Sequence, residues 1–76
     1  MDIKELDTVV LECDIAESGL AKGDIGAVVQ LYSRDAVEVE FVTASGRTQA
    51  LVTLKPTQIR ALGPRDMPAV RQVSVA

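Results

Sequence analysis

Histidine and tryptophan are absent from this chain of 76 residues, and aromatic residues make up only 3% of it. Without histidine, the chain cannot supply a Ser-His-Asp or Cys-His catalytic set, or a histidine-ligated zinc or iron site. Tyr32 and Phe41 are too few for the aromatic surfaces on which single-stranded nucleic acids, proline-rich peptides and methylated lysines bind. These absences exclude several common catalytic and binding chemistries.

Cysteine occurs once, at Cys13, so no intramolecular disulfide can form. This usage fits a reducing compartment. The charged N-terminus lacks the apolar core of a signal peptide, and no apolar run approaches the roughly 20 residues that span a bilayer. We therefore expect a cytoplasmic protein without a membrane segment. Cys13 follows Val9 and Leu11 at two-residue spacing, which predicts a buried, unreactive thiol.

A chain of 76 residues forms one domain at most. A domain of this size buries only roughly 60% of the surface that its unfolded chain exposes, and its stability is on the order of 5 kcal/mol. Hydrophobic residues make up 47% of the chain, an ordinary share for a folded protein. Since the core is thin, oligomerisation is one route to extra stability.

The charges are divided unevenly along the chain, although the net charge is only −3. Residues 1–40 hold ten acidic and three basic side chains, whereas residues 41–76 hold one acidic and five basic side chains. Folding can mix the two halves into an ordinary solvated surface. The alternative is an acidic face that meets a basic partner.

The segment from Gly19 to Tyr32 organises the predicted fold, because a glycine-rich turn leads directly into a β-branched run. The apolar pattern predicts five strands, at residues 7–13, 25–32, 36–43, 48–54 and 59–62, with a 3₁₀ turn at Pro56 before the last. A long acidic loop joins the first two strands. We predict an all-β, SH3-like small five-stranded barrel over residues 1–62. Residues 63–76 are predicted to be a C-terminal tail, either flexible or added to a sheet edge.

Alternation within the strands predicts which side chains face the core. The third strand is the clearest, with Val37, Val39 and Phe41 on one side and the two glutamates between them on the other. In the second strand the better apolar face holds four residues, and Val28 lies on the opposite face. Those four residues are Ile25, Ala27, Val29 and Leu31.

Acidic residues can bind metal ions or act in acid–base catalysis. Their spacing in the loop does not match a calcium-binding loop, which places oxygen ligands at tight alternating positions. Glu38 and Glu40 lie on one strand face and have the chemistry of a general acid and base, but the wet face of a strand is the simpler interpretation. We predict no cofactor and no metal. Seven residues remain as candidates for contact with a partner: Glu12, Asp14, Glu17, Asp24, Tyr32, Glu38 and Glu40.

Four segments carry a resemblance to a known family: Leu6 to Leu11, Gly19 to Val29, Glu38 to Phe41 and Leu51 to Leu54. Together they resemble domain-of-unknown-function family 4926, a family of small bacterial proteins frequent in cyanobacteria, over about residues 5–62. The resemblance implies an SH3-like fold and implies no activity. The core Gly23-Asp24-x-Gly26-x-Val28 is also similar to the KOW element of ribosomal and transcription-factor barrels.

The sequence therefore favours a non-enzymatic protein-interaction module over an enzyme. Its small size and acidity are those of many accessory, antitoxin and immunity proteins. One alternative is a KOW-like barrel that binds nucleic acid or the ribosome, which the scarcity of aromatics disfavours and the five cations of the second half leave open. Another is a structural homo-oligomer that pairs through edge strands or the tail.

Overall fold

Five antiparallel strands form one sheet in the computed structural model, which describes residues 3–73. The strands are β1 (Thr8–Leu11), β2 (Ile25–Ser33), β3 (Ala36–Val42), β4 (Thr48–Leu54) and β5 (Ile59–Ala61). Within these residues two 3₁₀ turns occur, at Ala16–Ser18 in the acidic loop and at Pro56–Gln58 before β5. The predicted all-β class, the five strands and the 3₁₀ turn before the last strand are confirmed.

The sheet is open. Its spatial order is β4-β3-β2-β1-β5, which leaves β4 and β5 at opposite edges. A closed barrel requires a hydrogen-bonded ladder between the first and last strands of that order. Within residues 3–73 no such ladder joins β4 to β5, so the predicted closure is not confirmed.

The described core is aliphatic apart from one phenylalanine. The inward face predicted for β3 is confirmed. Cys13 and Ile15 pack against the edge of this cluster. Cys13 is half-buried rather than buried, and its sulfur lies 3.7 Å from Gln58 Nε2, which donates to it. The buried hydrophobic residues are Val9, Val10, Leu11, Leu20, Val28, Val37, Val39, Phe41, Leu54 and Ile59.

The predicted inward face of β2 is wrong. Val28 is fully buried, whereas Val29 and Leu31 are exposed. The ladder to β3 pairs Val28 with Val39 and then Gln30 with Glu38, so the register shifts at the residue between them. A second shift follows Leu31. Each β-bulge inserts a residue without a partner and reverses the alternation beyond it.

Gly26 lies on β2, between β1 and core side chains of β3. It is buried opposite Val9, and a methyl group on its α-carbon would lie 2.7 Å from Val39 Cγ1 and 2.8 Å from Phe41 Cε1. Carbon atoms do not approach this closely without displacing one another. Only glycine therefore lets the core side chains of β3 lie against the backbone of β2.

The acidic loop folds back onto the core. Ile15 and Leu20 form an isolated antiparallel bridge, and Leu20 is buried. Gly19 has a φ of 69° and Gly23 a φ of 98°, a region that glycine enters at little cost. These two positions let the loop reverse twice within a few residues before β2 begins.

The C-terminal tail runs over the surface after β5 and forms no strand over residues 62–73. Its start is held by Asp66, whose two carboxylate oxygens accept hydrogen bonds from Arg60 at 2.7 and 2.8 Å. The Gly63 N–H also donates to Asp66 Oδ2, at 2.6 Å. The last residues of the predicted tail, 74–76, lie outside the described residues.

Candidate functional site

Several of the predicted contact residues lie next to the outer surface of β4. Residues directly opposite each other in an antiparallel ladder share a face of the sheet. Glu40 is opposite Leu51 and Glu38 is opposite Thr53, so both carboxylates lie on the same solvent-facing side as Leu51. The Leu51 side chain is 54% exposed. The exposed Leu51 side chain on β4 therefore lies next to the Glu40 carboxylate on β3.

Two of these carboxylates have local partners. The Thr48 hydroxyl donates to Glu40 Oε2 at 2.6 Å, which fixes the carboxylate against β4. Tyr32 lies beside Glu38, and its hydrogen bonding to Glu38, followed by partial burial and the negative charge of that carboxylate, raises the pKa of the Tyr32 phenol. Tyr32 thus stays a neutral hydrogen-bonding group whose ring is half exposed.

The acidic loop borders the other side of β4. Asp14 and Glu17 line a shallow polar depression of about 480 Å³ together with Leu51, Thr53 and Gln58. The Asp14 carboxylate accepts a hydrogen bond from the Lys22 backbone N–H at 2.8 Å. Within the described chain β4 pairs only with β3, so its second edge faces this depression. We call Leu51, Glu40, Asp14, Glu17 and the free edge of β4 the β4 surface.

Glu12 and Asp24, the other two loop candidates, are engaged by arginines from the second half of the chain. Glu12 Oε1 lies 3.3 Å from Arg60 Nε in an exposed ion pair. Asp24 receives Arg71 side-on, with Nε 2.7 Å from Oδ1 and Nη2 2.5 Å from Oδ2. Folding therefore neutralises part of the charge asymmetry that the sequence displays.

The Asp24 ion pair joins the later part of the tail to the acidic loop. The hydrogen bonds from Arg71 lower the pKa of Asp24, partial burial opposes this, and the Ala21 N–H lowers it further. Arg71 Nη2 also donates to the Gly19 carbonyl at 2.9 Å. Arg71 is not among the predicted contact residues, because it lies 47 positions after Asp24 and local spacing cannot relate the two.

A groove of about 640 Å³ lies beside this ion pair, between the tail and one end of the sheet. Its floor includes Leu20, Ile25 and Phe41, and its far wall is the β3–β4 turn at Thr43 and Ala44. Residues 69–73 of the tail form the near wall. We call this the tail groove.

The loop carboxylates do not converge on a metal. No group of three or more acidic or cysteine side chains that could hold an ion occurs among residues 3–73. Over the same residues, neither 3₁₀ turn has the length or apolar character of a membrane-crossing helix.

The pairing of Arg60 with Asp66 predicts an acid-dependent loss of stability. Mainly through the Arg60 hydrogen bonds, and also through the Gly63 N–H, the pKa of Asp66 is lowered from 3.8 to about 2. A carboxyl whose folded pKa lies below its unfolded pKa stabilises the fold above the unfolded value. This contribution should be lost as the pH falls from about 4 to about 2. Carboxyl-carbon chemical shifts across that range measure the titration directly.

The Asp66→Asn variant provides the comparison for this prediction. Its unfolding free energy should fall less steeply than that of the unaltered protein between those pH values, because its side chain does not titrate. A parallel decline in both proteins would contradict the assigned role of Asp66.

The comparisons with known proteins identify a family and no activity. Residues 5–61 match the family described as Domain of unknown function (DUF4926), which covers the strands, the acidic loop and both 3₁₀ turns. No curated protein and no solved structure matches the chain. The match includes most of the chain, and the protein therefore belongs to the DUF4926 family.

Proposed function

We propose that this protein is a non-enzymatic interaction module that binds another protein along the β4 surface. The observation that carries the proposal is Leu51, an aliphatic side chain more than half exposed between the carboxylates of Glu40 and Glu17. Exposed apolar groups rimmed by charge are typical of protein-binding surfaces. An accessory, antitoxin or immunity role is consistent with the small size and acidity of the chain.

Strand addition is the binding mode that the geometry favours. The free edge of β4 offers backbone N–H and C=O groups to an extended segment of the partner. The carboxylates of Asp14 and Glu17 stand beyond that edge, where they would attract basic side chains. The expected partner therefore presents an extended segment with apolar and basic side chains.

The arrangement of the arginines favours a protein over a nucleic acid as the partner. Arg60 and Arg71 are both paired with carboxylates, and a nucleic acid would have to compete with these pairs for the cations. The five-strand order is also compatible with an SH3-like barrel whose last edge is left open. We propose this fold relationship without a KOW-like function.

The proposal is tested by capturing partners from host cells with tagged protein. We expect one stoichiometric protein partner, and Leu51→Lys should reduce its recovery at least tenfold by placing a bulky cation where the segment docks. Leu6→Lys is the matched control, because Leu6 is more exposed and lies beside β2, away from β4. Circular dichroism confirms that both variants are folded.

Three results would count against this function. Recovery of no stoichiometric protein would contradict the existence of a protein partner. An equal loss of partner with Leu6→Lys would contradict the location of the contact on β4. A salt-dependent mobility shift with RNA or DNA would favour the nucleic-acid alternative. A dimer in light scattering that Leu51→Lys dissociates would assign the β4 surface to self-association.

A further inference from the structure

The tail groove contains a binding site for an arginine side chain, which we call the receptor. The acidic loop forms this receptor without the tail. Asp24 Oδ2 accepts a hydrogen bond from the Ala21 N–H at 2.9 Å, and the Asp24 carbonyl accepts one from the Leu11 N–H at 2.8 Å. The Asp24 side chain is 17% exposed. Its carboxylate is thus positioned by the turn before β2, whatever lies in front of it.

The second acceptor of this receptor is also fixed by the loop. Gly19 ends the 3₁₀ turn Ala16–Ser18 in a left-handed conformation, and its N–H donates to the Ala16 carbonyl at 3.0 Å. Its own carbonyl accepts a hydrogen bond from Arg71. Two carboxylate oxygens and one carbonyl oxygen match the planar array of guanidinium donors, which a lysine ammonium cannot satisfy in the same way.

The tail is attached to this receptor by few contacts. Among residues 67–73, Arg71 makes every hydrogen bond to the body of the protein that the structure describes. Met67 is 92% exposed and Val70 is 100% exposed, while Val73 is half-buried against the groove. A segment held this sparsely opens at low cost compared with the sheet.

We propose that the tail groove is a binding site for an extended peptide segment of a partner protein that carries an arginine and, two positions after it, an aliphatic residue. The tail supplies an internal ligand of this kind, in which Arg71 and the half-buried Val73 define the required chemistry. The arginine binds Asp24 and the Gly19 carbonyl, and the aliphatic residue lines the same groove as Leu20, Ile25 and Phe41.

The bound tail competes with any partner segment and therefore weakens the binding of that segment. A short tether presents its own ligand at an effective concentration on the order of 1 mM. A partner segment must displace this ligand, so only a segment with the arginine and matching flanks competes well. This site is separate from the β4 surface, and the proposal for it does not depend on the proposed function.

The test uses the full chain and a fluorescent peptide with the sequence of residues 67–73, measured by anisotropy. The Arg71→Ala protein has an empty receptor and should bind the peptide about tenfold more tightly than the unaltered protein, in which the tail competes. Arg65→Ala is the matched control, because it removes an exposed tail arginine for which no contact is described. It should bind like the unaltered protein.

The peptide and the receptor are then varied in turn. Changing the peptide's arginine to lysine or alanine should weaken binding to Arg71→Ala protein at least tenfold, and adding Asp24→Asn to that protein should do the same. Circular dichroism checks that the double variant is folded. Leu51→Lys should leave peptide binding unchanged, which separates this site from the β4 surface.

The proposal is overturned if Arg71→Ala protein does not bind the peptide, or binds the alanine peptide equally well. It is also overturned if the unaltered protein forms dimers that the peptide dissociates, since the occupant is then the tail of a second copy. Nuclear magnetic resonance shifts confined to the amides of residues 19–25 would support it.

Discussion

Replacing Gly26 by alanine should lower the free energy of unfolding by about 1–3 kcal/mol, the usual cost of overpacking a core. The added methyl group would lie within 3.0 Å of three atoms: Val39 Cγ1, Phe41 Cε1 and the Glu40 carbonyl oxygen. Glu40 is paired with residues of both β2 and β4, so its backbone has little freedom to move. The loss is a large share of the roughly 5 kcal/mol expected for a domain of this size.

Gly63→Ala is the control for this prediction. A methyl group at Gly63 would have an ordinary contact of 3.4 Å with Asp66 Oδ2, and its backbone is not left-handed. That variant should keep its stability or gain a few tenths of a kcal/mol, because alanine restricts the unfolded chain. Urea unfolding measures both. Equal midpoints for the two variants would show that β2 and β3 can separate to accept the methyl group.

The sequence predicts some features of β2 and not others. Its existence and limits follow from the glycine turn and the β-branched run. The inward face did not follow, because the bulge between Val28 and Gln30 places Val28 and Leu31 opposite inward residues of β3 at a spacing of three. A two-residue period cannot reveal a bulge, since the extra residue is defined by the partner strand. In β3, where alternation is regular over Val37, Val39 and Phe41, the prediction was correct.

The candidate site was predictable only in part, for a related reason. The sequence identifies the carboxylates of the acidic loop and of β3, and local spacing places Glu38 and Glu40 on one face. It does not reveal that Asp24 binds Arg71, or that Asp14 and Glu17 lie beside β4. Those arrangements depend on contacts between residues far apart in the chain. The open edge of β4 likewise depends on which strands pair, and a list of strands does not determine that.

Two leucines allow stability and partner binding to be separated by one type of substitution. Leu11 is fully buried opposite Ile59 in the ladder between β1 and β5, and Leu51 is exposed on β4. Leu11→Ala should cost about 2–5 kcal/mol, because it removes buried methyl groups and leaves a cavity. Leu51→Ala should change stability by about 0.5 kcal/mol or less. Thermal and urea unfolding measure both effects.

In partner capture, we expect the order of the two effects to be reversed, with Leu51→Ala more damaging to binding than Leu11→Ala. Leu51→Ala remains folded and should lose most of its partner, because the exposed side chain is the apolar centre of the β4 surface. Leu11→Ala, studied at a temperature where its folded fraction is known, should bind in proportion to that fraction, since Leu11 is inaccessible to a partner. Loss of binding by folded Leu11→Ala protein, with full binding by Leu51→Ala, would contradict the location of the contact on β4. The comparison therefore distinguishes a leucine that maintains the sheet from one that the sheet presents to a partner.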